Sequence, residues 1–269
     1  MKYTLKTHSK KILADTITPV SVYLRLRDRF PNSLLLESSD YRANDNTFSY
    51  ICCKPIASIT VKDEIITESF PDGKTTTTSI DSTTDVVGII EAFAKKFETE
   101  NNDKKFIQNG LFGYMSYDAV RYFEDIEITK KEGALDVPDL YYAVYQNIIA
   151  INHFNNEAYI FSHTYNEENN LSEIAQLLTV KSFAEYHFKL EGDQQSQMSD
   201  EAFMDLVKTC KKHCQRGDVF QIVPSKRFSQ NFSGDEFNVY RSLRSVNPSP
   251  YLFFFDYGNF KIFGSATHR

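Results

Sequence analysis

Tryptophan is absent from the 269 residues, and methionine and cysteine occur only four times each. Cys52 and Cys53 are adjacent and Cys210 and Cys214 lie four apart. No Cys-x-x-Cys pair exists, and a disulfide framework is excluded as the basis of the fold. Basic residues are not in excess: 30 Lys and Arg stand against 36 Asp and Glu, a net charge of -6. That balance argues against a nucleic-acid surface and serves solubility instead. Long apolar runs are missing too. No stretch approaches the roughly 20 residues of a membrane span, and the start "MKYTLKTHSKKIL" has no apolar signal core. A soluble, cytoplasmic protein that touches neither nucleic acid nor membrane is expected.

What is present is ordinary for a globular chain: 41% hydrophobic and 25% charged residues, enough for one large domain or two modest ones. "TPVSVYLRLRDRF" predicts a helix from Thr18, with Pro19 at its first position and Val20, Tyr23, Leu24, Leu26 and Phe30 as an approximate apolar stripe. "NSLLLES" and "FSYICCKPIASITVKDEIITES" read as strands. Asp72-Gly73 marks a tight hairpin, and "DVVGIIEAFAKKFE" an amphipathic helix. Gly110 and Gly113 interrupt an aromatic run and predict a bend or a close backbone approach. "LYYAVYQNIIAINHF" and "EAYIFSHTY" predict strands joined at Asn155-Asn156, followed by a surface helix in "NEENNLSEIAQLLTVKSFAEY". Residues 9–14 read as short and mixed.

The polar stretch "KLEGDQQSQMSD" reads as a linker. It divides the chain into residues 1–188, a connection over 189–200, and a second region over 201–269. In that region Ser199 caps a helix closed by Gly217. Phe203, Leu206, Val207, Cys210 and Cys214 form its apolar face. That core stripe accounts for the two cysteines better than a zinc site built from Cys210, His213 and Cys214. "DVFQIVPSKRF" reads as a strand, "DEFNVYRSLRSV" as a helix capped by Asp235, and "YLFFFDYGNFKIFG" as a hairpin around Gly258-Asn259. The expected class is α+β, with antiparallel sheets packed face to face and flanking helices.

Three stretches carry groups able to do chemistry. Gln221 shares a strand face with Val219 and Val223, which is either the wall of a pocket for an anionic ligand or a sheet face turned to water. "NPSPY" is stiffened by two prolines that lack an N–H, and forms a rigid wall or only a helix stop. "LLLESSD" ends an apolar strand in an acid and hydroxyls. Glu37 can accept from an ammonium group and Ser38 can donate to a carboxylate, or the stretch is an ordinary polar turn.

In this order, "TPVSVYL", "LLLES", "GLFGYMSYDAVR", "GDVFQIVPSKRF" and "NPSPYLFFF" resemble component I of anthranilate synthase, the large chorismate-binding subunit of tryptophan biosynthesis. The matches run from near residue 18 to Gly264. The family continues with an "SPE" pattern where this sequence reads "IFGSATHR", so a chain truncated at its C-terminal end and an incomplete fold are expected. The resemblance implies a lyase that converts chorismate and ammonia to anthranilate and pyruvate. A glutamine amidotransferase partner, component II, supplies the ammonia. It implies Mg2+ as cofactor, with ligands beyond residue 269 and none assigned within it. Gln221 matches the position where related isochorismate-forming enzymes carry a lysine, which implies that its amide orients ammonia rather than activating water. The resemblance also implies feedback inhibition by L-tryptophan, bound by Glu37 and Ser38 on one side and Pro250, Tyr251 and Leu252 on the other, with Lys54 offering a cation to the carboxylate. The absence of tryptophan from the sequence is compatible with this. Aminodeoxychorismate synthase component I of the folate pathway, or a non-catalytic tryptophan-binding remnant, are the rival readings.

Overall fold

A computed structural model describes residues 2–38, 47–99, 104–128 and 135–266. The N-terminal residues form β1 (Tyr3–Leu13), α1 (Pro19–Leu26), β2 (Leu34–Ser38), β3 (Phe48–Lys62), β4 (Ile65–Ser69) and β5 (Thr75–Ser79). Then come α2 (Val86–Ala94), β6 (Phe97–Thr99), β7 (Phe112–Met115), a 3-10 turn at Tyr117–Tyr122, β8 (Leu140–Asn152), β9 (Glu157–Thr164) and α3 (Leu171–Thr179). After these follow β10 (Phe188–Ser196), α4 (Asp200–Arg216), β11 (Phe228–Gly234), α5 (Phe237–Val246), β12 (Tyr251–Asp256) and β13 (Lys261–Ala266).

Among the described residues eleven strands make one sheet in the order β13-β12-β2-β3-β8-β9-β1-β6, with β4 and β7 added to β3 and β8, and β5 to β4. The β1–β6 pair is parallel; the others in this sheet are antiparallel. The class is therefore α+β, as the residue patterns predict. β2 has neighbours on both edges, β12 and β3, and is covered on both faces, which explains its continuous leucines: Leu34 and Leu35 are fully buried. Successive side chains of a strand point to opposite faces. Leu34 belongs to a core cluster with Cys52, Tyr145, Phe161, Phe255 and Tyr257 on one face. On the other, Phe254, the partner of Leu35, has its ring 5.5 Å from both Tyr23 of α1 and Tyr240 of α5.

The predicted caps are in place. Thr18 Oγ1 accepts from the Ser21 N–H, and Ser21 Oγ accepts in turn from the Thr18 N–H. Ser199 accepts from the Ala202 N–H, and Gly217 closes α4 with φ 80°; α2, read from the sequence only as an amphipathic helix, is capped by Asp85, which accepts from the Gly88 N–H. The turns at Asp72-Gly73, Asn155-Asn156 and Gly258-Asn259 each join two adjacent strands.

Several expectations are corrected. Residues 9–13 of the segment read as short and mixed over 9–14 are the end of an 11-residue strand, held by its ladder to β9 rather than by apolar alternation. The surface helix is confined to Leu171–Thr179. The stretch read as a linker over 189–200 is mostly β10, paired to β11. Its side chains are almost all exposed, so backbone bonds alone make the strand and no periodicity announces it. The compact units divide accordingly into residues 1–184 with 240–269, and residues 185–239. Within the second unit, "DVFQIVPSKRF" is irregular until Phe228. A strand needs a partner, and the ladder to β10 begins only there; Pro224 also lacks the N–H a ladder requires. The apolar face of α4 is not a core stripe, because no residue of that helix is buried and Cys214 is exposed.

No helix among the described residues is long and apolar enough to cross a membrane.

Candidate functional site

A buried polar arrangement gathers where β2 and β12 meet. The register pairs Leu252 with Glu37 and Tyr251 with Ser38, so two stretches from opposite ends of the sequence become neighbours. Leu252 also pairs with Ser265 on β13. Leu36 pairs with Tyr50, and continuing that ladder by one residue sets Ser49 beside Glu37. Ser49, Glu37, Leu252 and Ser265 thus form one cross-strand row.

Glu37 is the centre of that row, with 4% of its side chain exposed. A buried carboxylate is costly unless it is paired and hydrogen-bonded, and α5 supplies both. The Tyr240 hydroxyl donates to Oε1 at 2.5 Å. The Arg244 Nη2–H donates to Oε2 at 2.9 Å, and its Nε lies 2.7 Å from Oε1 as a close ion contact. Tyr240 and Arg244 are four residues apart on one helix, so their side chains share a face. Burial, and then the Glu37 charge, push the Tyr240 hydroxyl well above its ordinary range, which keeps it protonated as a donor.

Next to Glu37, Ser49 Oγ accepts from the Ser38 backbone N–H at 3.3 Å and lies 2.7 Å from His153 Nε2. Burial pulls the His153 pKa below its ordinary value; Glu37 opposes and Arg244 assists that shift. The imidazole is therefore neutral at physiological pH. At the "NPSPY" corner, buried Ser249 donates to the Tyr251 carbonyl at 2.9 Å. Ser265 Oγ stands 2.8 Å from Ser249 Oγ and donates to the Asn247 carbonyl at 2.6 Å.

The predicted residues separate on this geometry. Glu37 and Leu252 are buried on the face under α5, while alternation turns Ser38 and Tyr251 to the other face; Tyr251 is 49% exposed and Pro250 is exposed. Ser38 and Tyr251 form the last pair of their ladder, so the two faces meet at this edge. Ser39 and Asp40, the end of the "LLLESSD" stretch, and the terminal Thr267, His268 and Arg269 lie outside the described residues. Lys54 is not part of this site. β3 runs antiparallel to β2 from Cys52, the partner of Leu34, and the strand end bearing Ser38 lies toward Phe48. Lys54 is thus about 20 Å away along the strand. It is paired with Glu167 at 3.0 Å and lines a separate cleft with Arg29, Asn170 and Glu173. Gln221 belongs to the second unit, exposed on the irregular segment before β11. In that unit Lys226 pairs with Asp200.

Sequence reasoning missed Tyr240, Arg244, Ser49, His153, Ser249 and Ser265. A usable signal existed for two of them: Tyr240 and Arg244 repeat at i and i+4 in a helix leading straight into "NPSPY". The serines and the histidine carry no pattern of their own.

Among the described residues no three His, Cys, Asp or Glu side chains converge as a metal-ligand group.

Comparison with known proteins agrees with the geometry of the fold. A family model described as chorismate binding enzyme matches residues 18–269. Anthranilate synthase component 1 of Lactococcus lactis subsp. lactis (strain IL1403) is 31% identical over 278 residues, covering 97% of this chain and 57% of the relative. Aminodeoxychorismate synthase component 1 of Bacillus subtilis (strain 168) is 27% identical, over 94% of this chain and 54% of the relative. The crystal structure of anthranilate synthase component I from Streptococcus pneumoniae TIGR4 superposes with a TM-score of 0.63 at 21% identity, over 96% of this chain and 57% of that one. The chain spans about half the length of the curated relatives it matches.

Proposed function

This chain belongs to the family of chorismate binding enzymes, and from that premise we propose that it is the effector-binding part of an anthranilate synthase component I. The observation that carries the reading is the pairing of Glu37 with Leu252 and of Ser38 with Tyr251 in one ladder. Two motifs without local connection are joined there at a polar edge with an aromatic ring beside it. The proposed ligand is L-tryptophan. Its ammonium group is directed to Glu37, its indole to Tyr251 and the Pro250 corner, and its carboxylate to the hydroxyl of Ser38. Lys54 is left out on geometric grounds.

In the whole enzyme the proposed reaction joins ammonia to chorismate and releases anthranilate, pyruvate and water. A glutamine amidotransferase subunit, component II, would supply the ammonia. Gln221 is proposed to orient that nucleophile, since a neutral amide can hydrogen-bond ammonia without deprotonating water. Mg2+ is proposed to be held by the part of the relatives that this chain does not span, and to neutralise substrate carboxylate there.

The 269-residue chain is expected to bind L-tryptophan and to form no anthranilate from chorismate and ammonia. Isothermal titration with L-tryptophan and an anthranilate fluorescence assay test the two halves of that statement. Heat absent from the titration would overturn the effector reading. The Bacillus subtilis relative supports aminodeoxychorismate synthase as a second reading; formation of 4-amino-4-deoxychorismate by a chain extended to family length would favour it.

A further inference from the structure

Glu37 is already saturated. Both carboxylate oxygens are engaged by side chains of α5, through the Tyr240 hydroxyl at 2.5 Å and the Arg244 guanidinium at 2.7 and 2.9 Å. A ligand ammonium cannot simply be added to a carboxylate in that state; one of the present donors must leave. The two are not equally able to do so. Tyr240 is fully buried, with its ring against Phe254 at 5.5 Å and Phe263 at 6.4 Å. Arg244 keeps 39% of its side chain exposed and can swing into water on its flexible stem.

We propose that Arg244 is a built-in competitor for the effector's ammonium group: its guanidinium occupies the cation position on Glu37, and an α-amino ligand binds there by displacing it. The inference rests on the effector reading of this site. Exchange of one cation for another leaves the buried Glu37 charge neutralised throughout, whereas departure of Arg244 without a replacement would strand it. The apparent affinity of the ammonium subsite is thus its intrinsic affinity multiplied by the fraction of molecules in which Arg244 has released Glu37. The displacement has a consequence for the fold. Arg244 is the ion-pair tie between α5 and β2, and α5 leads through the Asn247 N–H, bonded to the Leu243 carbonyl at 2.9 Å, into the corner that carries Tyr251. Release of Arg244 loosens that connection, so occupation of the site is reported to α5.

The sign of the expected effect separates this device from an ordinary binding residue. Arg244→Gln in the full 269-residue chain should tighten L-tryptophan about tenfold, because the competitor is gone. Binding of indole-3-propionate, which lacks the ammonium, should not change. Arg244→Lys keeps a cation but loses the two-pronged contact; it should give an intermediate gain and serves as the test if the Gln variant does not fold. Calorimetric titration of both ligands into wild type and variants reads this directly. Weaker L-tryptophan binding in the Arg244 variants, or an equal gain for both ligands, overturns the displacement while leaving the effector reading intact. Failure of wild type and variants alike to bind L-tryptophan overturns that reading and the displacement with it.

Discussion

Ser38 and Tyr251 stand opposite each other as the last pair of one antiparallel ladder. Between them in sequence lie most of the main sheet and the whole second unit. The pairing exists because β2 has one edge on β3 and leaves the other for β12. Side chains that fix this edge therefore have measurable weight in stability, and the following outcomes are expected.

Tyr240→Phe removes a hydroxyl donor from the buried Glu37 carboxylate and leaves Arg244 in place. Hydrogen bonds to charged groups contribute about 1.5–3 kcal/mol. Urea denaturation should show a loss of that size, read as a lower midpoint with an unchanged slope.

Ser249→Ala opens the small network at the "NPSPY" corner, where Ser249 bonds the Tyr251 carbonyl and meets Ser265. Loss of one neutral buried bond costs about 1 kcal/mol. The thermal midpoint should fall by about 2–4 °C for a chain of this size. L-tryptophan affinity should fall with it, because the corner that carries Tyr251 is no longer fixed.

Two histidines make the fold acid-sensitive. His153 beside Ser49, and His163 between Thr7 and the Gln108 carbonyl, both have pKa values pulled down, chiefly by burial. Their proton is taken up more readily in the unfolded chain, near the ordinary value of about 6.5. Stability from this source is complete above about pH 6.5 and is lost as the pH falls through the folded-state values. Urea midpoints measured between pH 7.5 and 5 should decline, and the double variant His153→Gln, His163→Gln should flatten the decline.

The four thiols divide by environment. Burial pushes Cys53 up to about 12 and Cys52 well above the ordinary thiol range, and both are shut away from solvent. Cys214 is exposed and Cys210 half-buried. Brief iodoacetamide treatment of the native protein followed by peptide mass spectrometry should find Cys214 modified ahead of Cys210, with Cys52 and Cys53 untouched until the chain is unfolded.

Gly113 lies in the β7–β8 ladder, paired with Tyr142. A Cβ there would fall 1.9 Å from the Tyr141 carbonyl oxygen, and backbone cannot yield as a side-chain tip can. Gly113→Ala should destabilise by about 3 kcal/mol, the upper end of overpacking costs. At Gly110 the space around an added Cβ is open, and Gly110→Ala should lose less, by way of its φ of 146°.

Local chemistry was legible in the residues themselves. Thr18-Pro19, Ser199 and Gly217 announce their helix ends because a cap is a contact within four residues. Asp72-Gly73 and Gly258-Asn259 announce their turns for the same reason. The leucines of β2 declare burial, and the ordered motifs "LLLES", "PSKRF" and "NPSPY" declare the family. Elements without an apolar signal escaped. β10 is a strand by backbone pairing alone, and the "DVFQIV" segment has the alternation of a strand without the neighbour to make it one. Nothing local distinguishes those cases, since a ladder hydrogen bond belongs to two segments at once.

The site divides along the same line. Composition and motif order determined the class of protein, the caps, the turns and the two halves of the candidate site. Only the tertiary structure decided that Lys54 stands apart from Ser38, that Glu37 and Ser38 face opposite ways, and that Tyr240 and Arg244 hold the Glu37 carboxylate at sequence separations of 203 and 207. The reason is physical: strand register and side-chain parity are set by long-range pairing, and a buried charge takes its partner from whichever element packs over it, not from its neighbours in sequence.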